Sequence, residues 1–331
     1  MTASTTVAIT DSDLNSREDE QILRAAGLRT VRLQARTEEQ VIAGLSAVPA
    51  EALIVQWAPI TAAVLDAVPR CRFICRLGIG YDMIHVSAAT ERGVAVANVP
   101  DYCVDEVVAH TLAMTLWLLR GLGSLDAAVR EGQWSAGTAY PRAASPADTV
   151  LGLVGLGRIG GKVAAQAHAL GFDVVGNDPY AAPGGAARLT SLDDLLRSSD
   201  VVSLHAPLTP QTRHLIRADT LALMRRGALL VNTCRGGLID EAALAAAIAD
   251  GAIGGAALDV FETEPLPGDS PLRSLPNVLL SPHAAWYSPA SLARLPRQAA
   301  QQVVDFLTGR PVPAILNPEY AEHVAARPSP V

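Results

Sequence analysis

Two doubly wound parallel-sheet α/β domains with a cleft between them form the architecture this sequence predicts. Three observations carry that expectation. At 331 residues the chain exceeds one ordinary core, since domains run to about 150 residues. Short β-branched or apolar runs alternate with amphipathic helical stretches from end to end, the pattern of a parallel sheet covered by crossover helices. Hydrophobic residues make up 50% and charged residues 18%, apolar enough for sheets buried on both faces.

In the first half the strand candidates are "TVAIT", "TVRLQ", "ALIVQW", "RFICRLG" and "GVAVANVP". The helical stretches "EDEQILRAAGL", "TEEQVIAGLSAV" and "TAAVLDAV" lie among them. The apolar stretch of "DEVVAHTLAMTLWLLRGL" follows; His110 and two threonines break it, so it reads as a buried helix and not a membrane span. "SAGTAYPRAASPADT" reads as a linker. A second series begins with "TVLGLVGLG" and continues through "DVVGND", "VVSLHAP", "ALLVNTC", "GAALDVF" and "VLLSPH". Ser191 caps the helix "LDDLL", with Asp194 reaching back, and Gly251 ends "DEAALAAAIAD". The final helix, "SPASLARLPRQAAQQVVDFLTGR", has no strand of its own to cover and returns to the first domain. The expected domains are therefore residues 1–101 plus 290–331, and residues 102–289.

The formal net charge is -7 and the basic residues are scattered, so the footprint of a nucleic-acid binder is missing. Lys162 is the single lysine among 26 basic residues, which leaves anion binding to arginine. Cys71, Cys75, Cys103 and Cys234 include no CxxC pair, so neither a metal site nor structural disulfides are expected. The N-terminus lacks the basic flank and apolar core of a signal peptide; the expected location is cytoplasmic, with no membrane partner.

The first chemical motif is GxGxxG at Gly155, Gly157 and Gly160, directly after an apolar strand and opening a helix. Gly155 permits the tight turn, Gly157 lets backbone approach a pyrophosphate, and Gly160 lets the helix pack closely. Asp178 ends the next strand 18 positions after Gly160. A carboxylate there accepts the ribose hydroxyls of NAD and repels the 2'-phosphate of NADP. This is the Rossmann dinucleotide pattern, and NAD is the expected cofactor.

Ligands of an open parallel sheet bind beyond the carboxyl ends of its strands. Arg235 follows "ALLVNTC", Asp259 and then Glu264 follow "GAALDVF", and His283 follows "VLLSP". Guanidinium, carboxylate and imidazole are the set that hydride transfer to or from a 2-hydroxy acid requires. The arginine clamps a carboxylate and polarises the adjacent carbonyl. The histidine moves the hydroxyl proton, and a carboxylate on its other nitrogen fixes the tautomer. Spacing leaves Glu262 and Glu264 as rivals for that last role.

"GLGRIG", "VNTCRGGLIDEAAL", "GAALDVFETEP" and "NVLLSPHAAW" together resemble the D-isomer-specific 2-hydroxyacid dehydrogenase family over nearly the whole chain. "PDYCVDEVVAHTLA" and "PHAAWYS" are most similar to the branch of C-terminal-binding protein corepressors and their bacterial relatives. The resemblance implies Arg235, Glu264 and His283 as the catalytic set, choosing Glu264 over Glu262. It implies Asp259 on the nicotinamide amide, Arg158 and Ile159 at the pyrophosphate, and Ala206, Pro207, Thr212 and Thr233 around the dinucleotide, with Cys234 near the nicotinamide. It makes "LGIGYD" the loop whose N–H groups at Ile79 and Gly80 receive the substrate carboxylate. Ile79 stands where phosphite-oxidising relatives carry lysine, which argues against phosphite. Trp286 has two readings: a roof with Tyr102 over the pocket of an apolar or thioether 2-oxo acid, or an aromatic packed between domains.

The implied partners are a small 2-oxo or 2-hydroxy acid and a second copy of the chain, in a homodimer formed through the region of His110 and Glu106. The remaining histidines read as structural or surface residues. The expected activity is NAD-dependent D-2-hydroxyacid dehydrogenation. The alternatives are 3-phosphoglycerate dehydrogenation and an NAD(H)-sensing binding protein of corepressor type with little turnover.

Overall fold

The computed structural model describes residues 5–14 and 16–324. Its contacts divide the chain into two compact units: one runs to Cys103 and resumes at Tyr287, and the other is Val104–Trp286. The sequence reading placed the divisions after residues 101 and 289.

The first unit holds five parallel strands: β1 (Thr6–Ile9), β2 (Arg29–Arg32), β3 (Ala50–Val55), β4 (Phe73–Arg76) and β5 (Ala95–Ala97). They stand in the order β2-β1-β3-β4-β5. β1 and β4 are buried along their whole length, as expected for strands covered on both faces. Helix Pro289–Leu307 starts in a capping box formed by Ser288 and Ser291, and its contacts place it in this unit. Asn317 ties the following segment to β5: its Oδ1 accepts the Val96 N–H at 2.7 Å and its Nδ2 donates to the Val94 carbonyl at 3.0 Å.

The second unit holds seven parallel strands: β6 (Val150–Val154), β7 (Asp173–Asn177), β8 (Arg188–Leu189), β9 (Val201–Leu204), β10 (Ala228–Asn232), β11 (Ile253–Leu258) and β12 (Val278–Leu280). Their order is β12-β11-β10-β9-β6-β7-β8. The chain runs outward from β6 through β8, then returns to lay β9 on the other side of β6. That reversal is the switch point at which α/β sheets open a ligand crevice. Six of these strands were expected from sequence; β8 spans two residues, too few to carry periodicity.

Helix Val104–Arg120 packs inside the second unit and buries Val107, Val108, Thr111, Leu112, Met114, Thr115, Leu118 and Leu119. Among the described residues no single helix is long and apolar enough to cross a membrane. The segment expected to be a linker is instead part of the second unit's body. Tyr140 lies so close over Gly121 that a Cβ there would sit 2.1 Å from the ring, and its hydroxyl donates to the Leu118 carbonyl at 2.9 Å. An Ala/Pro-rich composition marks irregular backbone, and here an aromatic side chain packs that backbone down.

Candidate active site

The glycine loop joins β6 to helix Arg158–Ala169 at the switch point. Gly155 takes φ +95, and a Cβ there would meet the His205 and Ala206 backbone, with the His205 carbonyl 2.7 Å away. A Cβ on Gly160 would lie 2.1 Å from the Gly155 carbonyl oxygen. Around Gly157, by contrast, nothing lies within 4 Å of the Cβ position. Two glycines thus hold the loop tight while the third leaves its outer face open. Gly157 also caps the helix without any side-chain hydrogen bond, leaving the first-turn N–H groups for an anion. The residues present therefore fit a dinucleotide pyrophosphate.

Asp178 closes the motif. Its Oδ2 accepts the Leu156 N–H at 2.7 Å and its Oδ1 accepts the Tyr180 N–H at 2.8 Å, so the carboxylate is pinned across the glycine loop. Arg158 is exposed and Ile159 partly buried at the start of the helix. After β9, the Thr212 hydroxyl donates to the Pro207 carbonyl at 2.6 Å and shapes the Ala206–Pro207 turn. Thr233 is held through its hydroxyl by Thr111, 2.8 Å away on the long helix. Cys234 donates its thiol to the Ala206 carbonyl at 2.8 Å. Burial keeps His205 neutral, with its pKa down to about 4, and its Nε2 meets the Ser203 hydroxyl at 3.0 Å.

Arg235 leaves β10 on a turn closed by Asn232, whose Oδ1 accepts the Cys234 N–H at 3.0 Å and whose Nδ2 donates to the Arg235 carbonyl at 2.8 Å. The guanidinium folds back to the Cys234 carbonyl, 2.9 Å from Nη1. Gly236 follows because the turn lies on the Phe261 backbone: a Cβ there would stand 1.8 Å from the Phe261 carbonyl carbon. Gly236→Ala therefore forces this turn and the Phe261–Glu264 loop apart, with an expected loss of about 1–3 kcal/mol from overpacking. Thermal unfolding of the variant checks this, and a melting temperature equal to that of the parent would contradict the contact.

Glu264 and His283 meet directly, with Oε2 2.7 Å from Nδ1. The other Glu264 oxygen accepts the Phe261 N–H at 3.0 Å. Burial pushes this carboxyl up, but the His283 hydrogen bond and charge, the Phe261 N–H and the charge of Arg235 together outweigh it, and the pKa lies below the ordinary value of 4.5. Glu264 stays ionised and its Nδ1 partner is fixed. His283 takes φ +52, a left-handed conformation that residues with side chains rarely adopt. Its N–H is held by the Asp259 carbonyl at 2.7 Å.

Asp259 is fully buried. Its Oδ1 accepts the Ala284 N–H and its Oδ2 the Ala285 N–H, both at 2.8 Å, and the Ser281 hydroxyl also donates to it. Asp259 thus braces the turn that carries His283; contact with the nicotinamide amide is the further role that the resemblance implies. His110, expected to pack against a second copy, meets Ser281 at 3.3 Å within its own unit. Glu262 pairs with His214 and not with His283, so geometry separates the two glutamates that spacing left as rivals.

Ile79 and Gly80 follow β4 in the first unit and are partly exposed. The Ile79 carbonyl accepts from Asn98 Nδ2 at 2.6 Å, and the Gly78 carbonyl accepts the Val99 N–H at 3.0 Å, which fixes this loop. Tyr102 is 5% exposed, and its carbonyl accepts from Arg294 Nε at 2.8 Å. Trp286, the last residue of the second unit, is partly buried. Thr111, Asn232, Ser281 and His214 were missed from sequence. Only Asn232 carried a local signal, an asparagine entering a turn.

The sequence model for the D-isomer-specific 2-hydroxyacid dehydrogenase NAD-binding domain matches residues 112–285. A D-3-phosphoglycerate dehydrogenase of Mycobacterium tuberculosis is 42% identical over 279 residues, 82% of this chain and 52% of that protein. The chain thus spans about half the length of the curated relatives it matches. A glyoxylate reductase from Paecilomyes thermophila is similar in structure at TM-score 0.86, with 26% identity, covering 96% of this chain and 99% of that one. A D-lactate dehydrogenase from Aquifex aeolicus, solved with NAD and lactic acid, is similar at TM-score 0.81, with 29% identity, covering 97% and 98%.

Proposed function

The chain belongs to the D-isomer-specific 2-hydroxyacid dehydrogenase family, and on that premise we propose that it reduces a 2-oxo acid to a D-2-hydroxy acid, or the reverse, with NAD(H). The observation that carries this reading is the Glu264–His283 pair, 2.7 Å apart in the unit that also bears the open glycine loop and Arg235. Bound NADH supplies the hydride. Arg235 holds the substrate carboxylate and polarises the 2-oxo group; a substrate role for the N–H groups of Ile79 and Gly80 is what the resemblance implies. Glu264 keeps a proton on His283 Nδ1, so that Nε2 is the atom that delivers a proton to the substrate oxygen or removes one from it. Gly155, Gly157, Arg158, Ile159 and Gly160 hold the pyrophosphate, and Asp178 holds the adenosine ribose. Ala206, Pro207, Thr212, Thr233 and Cys234 would line the dinucleotide, and Asp259 braces the catalytic turn.

Purified protein assayed with NADH against glyoxylate, hydroxypyruvate, pyruvate, phenylpyruvate and 4-methylthio-2-oxobutanoate tests this. Turnover of at least one acid is expected; tight NADH binding with none would favour a nucleotide-sensing protein. A second reading, oxidation of 3-phosphoglycerate, is supported by the mycobacterial relative, and NAD reduction with that substrate separates it.

Asp178 sets cofactor choice, because its carboxylate repels a 2'-phosphate. Asp178→Ser should raise NADPH use relative to NADH by at least about tenfold, the equivalent of roughly 1.4 kcal/mol of removed repulsion. An unchanged ratio of kcat/KM values would remove Asp178 from that role. A homodimer is part of the same proposal. Leu122 and Val129 are seven residues apart on helix Leu122–Arg130 and, like Trp134, are exposed. Sedimentation velocity should give twice the chain mass, and a monomer at micromolar concentration would contradict it.

A further inference from the structure

We infer that His214 is a positioning residue that clasps the turn bearing Arg235 to the loop bearing Glu264. The inference rests on the reading that Arg235, Glu264 and His283 act on substrate.

The backbone of His214 belongs to one side of the clasp. Its N–H donates to the Gly237 carbonyl at 2.9 Å, two residues beyond Arg235. The pairing continues from the Ile216 N–H to the Leu238 carbonyl at 2.9 Å and from the Asp240 N–H back to the Ile216 carbonyl at 2.8 Å. The side chain belongs to the other side. Its Nε2 bonds Glu262 Oε1, two residues before Glu264. Glu262 is held in turn by Glu241: the Glu262 N–H donates to Glu241 Oε1 at 2.6 Å, and Glu262 Oε2 accepts the Glu241 N–H at 3.4 Å. Arg213 Nη2 lies 3.8 Å from Glu262 Oε1, the oxygen that His214 bonds. One imidazole therefore joins the two chain segments that carry the guanidinium and the carboxylate of the proposed chemistry.

His214 also takes φ +49, one of three non-glycine residues at positive φ among the described residues, with Gln34 and His283. Such backbone persists only where its surroundings over-determine it, and here it points the ring at Glu262 while the N–H faces Gly237. The His214 and Glu262 side chains remain 35% and 28% exposed, so the pair adds little to folding. Its consequence is geometric. A displacement of about 1 Å in a catalytic group can cost about 100-fold in rate.

The test compares His214→Leu, Glu262→Ala, the double variant and His214→Gln with the parent, each in the full chain, with His283→Ala alongside. Turnover is read on the best 2-oxo acid and NADH affinity by fluorescence titration. His214→Leu and Glu262→Ala should each lower kcat by about 10- to 100-fold with NADH affinity unmoved. The double variant should be no worse than either single one, because both break the same link. His214→Gln, which keeps a side-chain N–H for Glu262, should recover most of the turnover. An unchanged kcat in His214→Leu, or additive losses in the double variant, with His283→Ala inactive, overturns the clasp alone. A His283→Ala variant that turns over normally overturns the catalytic reading and the clasp with it.

Discussion

His283→Ala is expected to lower kcat by about 100- to 10,000-fold, the range that positioned proton transfer contributes, while NADH affinity is retained. Loss of rate without loss of cofactor binding follows from where the residue stands. His283 sits on a turn braced by Asp259 after β12, away from the glycine loop between β6 and helix Arg158–Ala169. Glu264→Gln should show a smaller loss, since an amide keeps a hydrogen bond to Nδ1 but not the charge that stabilises imidazolium. The pH dependence has a definite sign. The Glu264 pKa is depressed below 4.5, so its pairing with His283 is complete above that value and is lost as pH falls through the depressed pKa. Steady-state kinetics on the three proteins check both statements. A His283→Ala enzyme within a few-fold of the parent would remove the proton-transfer role.

Arg235→Ala carries the second large effect. Truncating one partner of a buried, hydrogen-bonded charge pair costs about 2–5 kcal/mol, and the expected loss in kcat/KM for the 2-oxo acid corresponds to that range. Both KM and kcat should worsen, because one guanidinium binds the carboxylate and polarises the carbonyl undergoing reduction. Arg235→Lys should recover little, since an ammonium cannot reproduce the planar two-pronged contact. The neighbours of Arg235 give this rigidity a physical basis. Asn232 closes its turn from both sides, and Gly236 lies directly on Phe261. A long side chain on a turn so constrained presents its charge from a fixed origin. A variant whose KM alone rises, with kcat intact, would show that Arg235 binds without polarising.

The candidate site was legible where each residue's role is set by local chain direction. Glycines at 155, 157 and 160 must open a helix after a strand, and polar residues just past apolar runs must lie at strand ends, so the motif and the strand-end places of Arg235 and His283 could be read in one dimension. The two α/β sheets were legible for the same reason. What escaped depended on distant packing. No sequence pattern indicated that Asp259 would be buried under the catalytic turn, that Thr111 would meet Thr233 across more than 100 residues, or that Tyr140 would pack the supposed linker onto the body of its unit. β8 escaped because two residues have no period. The competition between Glu262 and Glu264 was undecidable from spacing, because either stands within a turn of the strand end. Pairing with His214 and His283 separates them in space.

The central claim is direct hydride transfer to the carbonyl of a 2-oxo acid, with the proton delivered separately. The most direct measurement uses NADH deuterated at both C4 positions in ordinary water, with the best acid of the panel, and analyses the product by chiral chromatography and mass spectrometry. The expected product is the D-2-hydroxy acid with one deuterium on C2 and none on oxygen. A protium at C2, or the L isomer, would contradict the account.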